Sequence, residues 1–399
     1  AYPEALSSRQ RVEWKVRLWD ETDAAGEWSE QAFFETGLLS AGDWTAKWIS
    51  GNYRVNRKKR YPADCFRKVF SVSDVRKARL YVTACGLYEV HINGRRAGNF
   101  VLAPGHTDYT KRIQYQTYDV TSLIKEGENA LTCELADGWY RGSCGAWGLK
   151  NQYGTQTKLL LQLEVYGTDG SCTRICSDES WQWSNDGPVR FADNKDGEIV
   201  EASRTPSYGG RAKLAKCKVV PVSSDNVPLT EHERFSSPGL IVTPEGKKVL
   251  DFGQNIAGYV QFTLRAAAGR KLKLRFGELL DDRGEFTQKN IQCANKKRTR
   301  VTPLQQILYT CREGVNEYKT KFAIFGFRYV LVEGDADWKA EDFTAIAVYS
   351  DMEQTLSFSC SHPLIAQFVK NTLWSAKNNH ADVPTDCPTR ERHGWTGDA

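Results

Sequence analysis

Residues 80–94 read Leu80-Tyr81-Val82-Thr83-Ala84-Cys85-Gly86-Leu87-Tyr88-Glu89-Val90-His91-Ile92-Asn93-Gly94. Leu80, Val82 and Ala84 fall on alternate positions, Tyr88, Val90 and Ile92 do so again, and the run ends in Asn-Gly, the pair that most readily reverses a strand. This is the grammar of antiparallel sheet. The same texture continues downstream. Leu131, Cys133 and Leu135 alternate ahead of Asp137-Gly138-Trp139-Tyr140-Arg141-Gly142, and Leu159, Leu161, Leu163 and Val165 lead into the turn Gly167-Thr168-Asp169-Gly170. Short strands at turn-marked intervals, with no 3.6-residue stripe between them, predict a jelly-roll or sandwich domain over residues 44–235.

The flanks extend the β character. Val12, Trp14, Val16 and Leu18 alternate with charged or polar residues, and after a turn at Ala24-Ala25-Gly26 a second strand is expected from Trp28 to Phe34. Residues 1–43 read as part of a fibronectin type III-like sandwich, and two strands alone rarely hold together in water, so this piece should lean on the neighbouring β-domain. Residues 236–352 read as a second β-sandwich, with strands expected at 249–252, 258–264 and 271–278 and further strands at 325–332 and 343–349. The pattern then changes. Ser361 is placed to cap a helix with Pro363 in its first turn, and Ile365, Phe368, Val369, Leu373 and Ala376 fall on one helical face. Residues 353–399 therefore form a separate region.

Composition narrows the function classes. The 399 residues carry 54 basic and 49 acidic side chains, and the basic clusters Arg57-Lys58-Lys59-Arg60 and Lys296-Lys297-Arg298 are short and isolated, so no nucleic-acid partner is expected. No apolar run of about 18 residues exists to cross a bilayer, so no membrane partner is expected either. Aromatic residues reach 12%, with 12 Trp and 17 Tyr, which suits sandwich packing and also carbohydrate contact. The 11 cysteines are odd in number and none form a CxxC pair, so they read as reduced, mostly buried thiols. The sequence opens Ala-Tyr-Pro-Glu and holds one methionine, so it reads as a segment cut at both ends. Neither compartment nor oligomeric state can be read from these features.

Chemistry concentrates in the final stretch, Asp386-Cys387-Pro388-Thr389-Arg390-Glu391-Arg392-His393-Gly394-Trp395-Thr396-Gly397-Asp398-Ala399. Its prolines and glycines exclude a long helix or central strand, so its polar groups are displayed on a loop. Spaced carboxylates beside an indole are what sugar chemistry uses. One acid protonates a leaving oxygen, others hold hydroxyls or activate water, and the aromatic face meets the C–H side of the ring. The bland reading of the same residues is a solvated loop in which Asp and Arg pair with each other.

The segment from Asp382-Val383-Pro384-Thr385 through Asp398 resembles the loop that marks the bacterial α-L-rhamnosidases, glycoside hydrolase family 78. Leu250-Asp251-Phe252-Gly253-Gln254-Asn255-Ile256-Ala257-Gly258 and Phe325-Gly326-Phe327-Arg328-Tyr329-Val330 are similar to landmarks of that family's second β-domain. Gly86-Leu87-Tyr88, Ile92-Asn93-Gly94 and the Asp137–Gly142 run are similar to landmarks of its first. The resemblance implies a mainly β multidomain chain followed by the start of an (α/α)6 barrel, and inverting hydrolysis of terminal α-L-rhamnosyl bonds in rhamnosides or rhamnose-containing glycans. It implies that Glu391 is the general acid, that Asp386 and Asp398 hold the sugar, that Arg390 and Trp395 contact it, and that no cofactor is required. The base that activates water would be a glutamate on a part of the barrel beyond Ala399. An acid working near neutral pH must be kept protonated by burial or a neighbouring like charge, which Asp386 or Asp398 can supply, while Arg390 and Arg392 pull the other way.

Two features depart from the family pattern. Some members carry Arg-Asp-Glu-Arg where this chain has Arg390-Glu391-Arg392, and His393 stands where leucine is common. The rhamnosidase resemblance also draws attention to Asp193-Asn194-Lys195-Asp196-Gly197-Glu198, a turn of the kind that can hold Ca2+ in the first β-domain through Asp193 and Asn194. Two rival functions stay open from the sequence: a carbohydrate-binding β-domain assembly without catalysis, and a related (α/α)6-barrel glycosidase acting on another deoxysugar.

Overall fold

A computed structural model describes residues 5–294 and 301–398, except the side chain of Asp398. The opening Ala-Tyr-Pro-Glu and the Lys296-Lys297-Arg298 cluster lie outside the described residues. The protein is mostly β, as the alternating patterns require. No helix is long and apolar enough to cross a membrane among the described residues.

The first β-domain is built from a seven-stranded and a six-stranded sheet. Leu80, Val82 and Leu161 from one and Phe66, Val90, Leu131 and Leu135 from the other join a single buried apolar cluster, the arrangement of a sandwich. The expected hairpin is present: Leu87–Ile92 pairs with Arg95–Arg96 across a two-residue turn in which Asn93 and Gly94 both have positive φ, 53° and 78°. The strand before it, Lys77–Cys85, does not pair with Leu87–Ile92. The chain instead crosses at Gly86 from the seven-stranded sheet, where Lys77–Cys85 lies between Lys158–Tyr166 and Gln114–Asp119, to the six-stranded one.

The N-terminal ribbon pairs Arg11–Trp14 with Ala32–Glu35, and it leans on the first β-domain as a two-strand unit must. Arg9 spans Asp43 at 2.8 Å and the buried Glu164 at 2.7 Å, and Glu35 accepts from Lys77 at 2.9 Å and Arg79 at 3.0 Å. Only Val12 of the expected stripe is buried, while Trp14, Val16 and Leu18 are exposed.

The second unit is one continuous ten-stranded sheet. Its axis is Lys248–Ala266, a single strand where two shorter ones were expected. Pairing with Phe325–Gly334 shifts register between Asp251 and Ile256, a bulge that bends the strand without ending it. Before the bend it runs beside Gly239–Val242 and Phe325–Gly334; beyond it, it pairs with Phe343–Ser350 and Gly314–Lys319. The sheet also takes in Val189–Asp193 and Gly197–Glu201, the latter paired in parallel with Gln306–Thr310, and Leu229–Ser236 beside Phe343–Ser350. Strands from before and after residue 235 thus share one ladder.

The expected helix spans Pro363–Asn378, but its N-cap position is His362 rather than Ser361, one residue nearer the proline that starts the first turn. The helix docks through Trp374, whose ring lies 6.0 Å from that of Phe235, and through Asn378, which donates to the carbonyl of Asn255 and accepts from the N–H of Ala257. Ile365 and Phe368, expected to be buried, are exposed together with Leu364. The reason is that the C-terminal end of the helix, not its first turns, meets the sheet.

Candidate active site

The helix delivers the chain into the acidic loop, and the loop is fastened at three levels. At its entry His380–Ala381 and Val383–Pro384 form a small antiparallel pair around Asp382, which adopts φ 73°. The buried Asp382 carboxylate accepts from the backbone N–H of His106 at 2.6 Å and from Asn226 Nδ2 at 3.0 Å, both in the first β-domain. In the middle, the loop closes on itself: Asp386 N–H donates to His393 O at 3.1 Å and Trp395 N–H donates to Pro384 O at 2.8 Å. Underneath, Pro388 and Thr389 press on the second β-domain at Gly326. A Cβ there would lie 2.5 Å from Thr389 Cγ2 and 2.9 Å from Pro388 Cγ, so no larger residue fits without moving the loop.

Arg392 is the anchor of this structure. Its buried guanidinium donates to the carbonyls of Asn194 and Ile324, to Gln305 Oε1, and to Thr389 O at 2.9 Å, while its own carbonyl accepts from Trp139 Nε1 at 3.3 Å. It faces the interior and both β-domains, not Glu391. The expectation that Arg392 opposes protonation of Glu391 is therefore corrected: its charge is spent on backbone carbonyls beneath the loop.

The loop presents Asp386 and Glu391 together. Their carboxylate oxygens and Cys387 Sγ lie within 4.8 Å of one another. Cys387 sits inside the turn, accepting from the N–H groups of Arg390 at 3.3 Å and Glu391 at 3.5 Å and donating its thiol to Glu391 Oε2 at 3.2 Å. Arg390 pairs with Glu391 Oε1 at 2.7 Å. Burial raises the Asp386 pKa above the ordinary aspartate value, against the pull of the His393 and Cys387 N–H groups, and the charge of Glu391 raises it further. Burial also pushes Glu391 up, but Arg390, Cys387 and Asp386 outweigh it and hold the carboxyl below its usual value. The two carboxyls titrate as one coupled unit, in which Arg390 favours the charged form of Glu391 and burial favours the neutral form of Asp386.

Asp386 and Glu391 line a cleft of about 880 Å3, with Trp395, 57% exposed, beside them. The far part of its lining comes from the first β-domain: His106, Thr107, Asp108 and Tyr153. The His106 ring stacks on Trp139 at 5.0 Å and lies 5.5 Å from His393, and burial, helped by His393, lowers its pKa to about 4, so the imidazole is neutral near pH 7. Sequence reading missed Asp382 and these wall residues. Asp382 lies 276 positions from His106, and no local pattern announces such a contact.

Of the expected site residues, Asp386, Glu391 and Trp395 line the cleft, and Arg390 is tied to it through its pair with Glu391. The side chain of Asp398 lies outside the described residues. Asp193 and Asn194 are buried below the loop, the Asn194 side-chain oxygen without a hydrogen-bond partner among the described residues. The Asp193 carboxylate is filled by the Arg60 guanidinium and by the N–H groups of Ser143 at 2.8 Å, Lys195 at 2.9 Å and Asp196 at 3.0 Å. Arg60 thus supplies a positive charge beside Asp193, and the same turn seats Arg392 through the Asn194 carbonyl. The Asp386, Cys387 and Glu391 atoms are spaced closely enough for a metal, but the thiol proton and Arg390 already satisfy Glu391.

Comparison with known proteins agrees with this architecture. Residues 1–40 match a family described as a Rha78A-like N-terminal immunoglobulin domain, where a fibronectin type III-like piece was expected; the two share the sandwich architecture. Residues 73–244 match the alpha-L-rhamnosidase N-terminal domain, 241–349 the bacterial alpha-L-rhamnosidase concanavalin-like domain, and 353–399 the bacterial alpha-L-rhamnosidase 6 hairpin glycosidase domain. An alpha-L-rhamnosidase of Formosa agariphila is 35% identical over 99% of this chain and 44% of its own length. One from Streptomyces avermitilis is 36% identical over 95% of this chain and 38% of its own. The crystal structure of an Aspergillus terreus α-L-rhamnosidase superposes with a TM-score of 0.89 at 35% identity, covering 100% of this chain and 47% of that one. A Streptomyces avermitilis enzyme solved with L-rhamnose gives 0.90 at 25% identity, covering 99% and 55%. The chain belongs to the bacterial α-L-rhamnosidase family, and it spans about half or less of the length of most of these relatives.

Proposed function

We propose that this chain is the part of an inverting α-L-rhamnosidase that carries the general acid, acting on terminal rhamnosyl residues of rhamnosides or rhamnose-containing glycans. The observation that carries the reading is the Asp386–Glu391 pair, set in a cleft beside an exposed tryptophan, with burial and the neighbouring charge raising the Asp386 pKa. Glu391 in its protonated form gives its proton to the glycosidic oxygen and is left as a carboxylate that Arg390 stabilises, regaining a proton from water after the product leaves. Asp386, with Asp398 and Arg390, holds the sugar hydroxyls, while Trp395 meets the apolar ring face. No cofactor is needed, because both charge changes in the reaction are proton transfers.

The pair's close spacing resembles the roughly 5–5.5 Å separation of retaining enzymes. Asp386 is nevertheless unsuited to be a nucleophile, since it shares one turn with Glu391, so the two approach the sugar from one side. The base acts from the opposite face, beyond residue 399. In the same reading, residues 1–43, 44–235 and 236–352 are the three β-domains, and residues 353–399 open an (α/α)6 barrel whose next helices cover Leu364, Ile365 and Phe368. The test is hydrolysis of nitrophenyl α-L-rhamnoside by the full-length protein, followed by NMR. The first product is expected to be the inverted anomer. Absence of turnover would leave the carbohydrate-binding or other-deoxysugar readings, and a retained anomer would overturn the assignment of roles.

A further inference from the structure

The cleft has two walls of different origin, and only one belongs to the acidic loop. The other comes from the first β-domain through His106, Asp108 and Tyr153. At about 880 Å3 the cleft is in the upper part of the range of roughly 300–1,000 Å3 typical of small-molecule sites, which leaves room beyond a single deoxyhexose. The second wall is held in a defined position. Asp382 fixes the His106 backbone at 2.6 Å, Trp139 stacks on the His106 ring, and Tyr109 supports Tyr153 with ring centroids 5.4 Å apart. Asp108 presents a half-exposed carboxylate, its pKa kept low by the Thr110 hydroxyl and N–H. A half-buried aromatic ring, an ionised acceptor and a neutral imidazole are the groups that recognise a hydroxylated ring.

We propose that this wall is the subsite for the leaving group, and that Tyr153 and Asp108 select for a second pyranose ring attached through the oxygen that Glu391 protonates. The inference rests on the proposed function, because Glu391 must stand beside the bond that breaks. The acidic loop then grips the rhamnosyl ring, and the first β-domain grips what departs. Tyr153 offers its face to the apolar side of that ring and Asp108 accepts from its hydroxyls, so specificity for the leaving group is encoded more than 230 residues before the acid.

The test compares a rhamnosyl-glucose disaccharide with methyl α-L-rhamnoside in the full-length protein, reading kcat/KM for each. In Tyr153→Ala and Asp108→Asn the ratio of disaccharide to methyl rhamnoside should fall about tenfold, mainly through KM of the disaccharide, as expected for loss of one ring contact or charged hydrogen bond. Tyr153→Phe should restore most of the ratio, because it keeps the ring face. An unchanged ratio in both variants, with a wild type that turns over both substrates, would overturn the subsite and leave the proposed function intact. A wild type that turns over neither would remove the proposed function and this inference together. A polyphenolic rhamnoside that loses as much as the disaccharide would overturn the choice of a sugar as the occupant.

Discussion

The carboxylates of Asp386 and Glu391 share one turn with the Cys387 thiol between them, all three within 4.8 Å. Two acids at that distance cannot both ionise freely, and a single arginine, Arg390 at 2.7 Å from Glu391, sets which of them yields first. The pH behaviour of the protein is set by this triangle. A general acid works while the pair keeps its proton, so the rate falls as pH rises through the raised pKa of the pair. In Asp386→Asn the pair loses the member whose pKa is raised, and Glu391 keeps Arg390 and a hydrogen-bonding side chain at 386, so the alkaline limb of kcat should move to lower pH, with KM also raised. In Arg390→Gln the limb should move to higher pH. A pH–rate series on the three proteins measures both shifts, and shifts of equal sign would contradict the coupling.

Gly326 is where the loop meets the second β-domain. In Gly326→Ala the new Cβ would fall 2.5 Å from Thr389 Cγ2, so the loop must rise. Displacement of a catalytic group by about 1 Å costs on the order of 100-fold in rate. The variant should fold, with far-UV circular dichroism close to that of the wild type, and lose at least about tenfold in kcat/KM.

Arg392 joins the loop to both β-domains through buried acceptors. Arg392→Met leaves the carbonyls of Asn194, Ile324 and Thr389 and Gln305 Oε1 without that donor. A buried acceptor without a partner costs about 1–3 kcal/mol, so docking of residues 385–394 should weaken by at least ~2 kcal/mol. Hydrogen exchange of the Asp386 and Trp395 amides reports the loss directly. Arg392→Lys should not rescue it, since a point charge cannot serve acceptors spread around a planar fork.

Calcium should have no effect. A site with Kd of ~10 μM, saturated at ~1 mM calcium, would add about 2.7 kcal/mol of stability and raise the unfolding midpoint. With Arg60 against Asp193, neither calcium nor EDTA should move that midpoint in a thermal scan. A rise with calcium that Asp193→Asn abolishes would contradict this account.

The legible parts of the chain were those whose physics is local. Alternation and the Asn93-Gly94 turn identified a hairpin, and Pro363 with the stripe after it identified a helix, because φ preferences and periodicity act within a few residues. Pairing partners were not legible. Nothing near Gly86 tells that the strands on either side join different sheets, and nothing near Gly197 tells that its strand runs parallel to one a hundred residues on. The site divides in the same way. Glu391, Asp386, Arg390 and Trp395 could be named because they crowd one loop of a resembling family. The roles of Asp382, Gly326 and Arg392 depend on contacts with distant β-domains. Asp193 shows the same limit: its turn has oxygen ligands, and only the fold brings Arg60 to its carboxylate.

The central claim is that Glu391 gives its proton to the departing oxygen. The most direct measurement is kcat of wild type and Glu391→Gln, in the full-length protein, on rhamnosides whose leaving groups range from an alkyl alcohol to dinitrophenol. The alkyl rhamnoside needs the proton, and its kcat should fall by about 100- to 10,000-fold, whereas the dinitrophenyl compound, which leaves without help, should lose far less. An equal loss across the series, or no loss at all, would contradict the assignment of Glu391 as the acid.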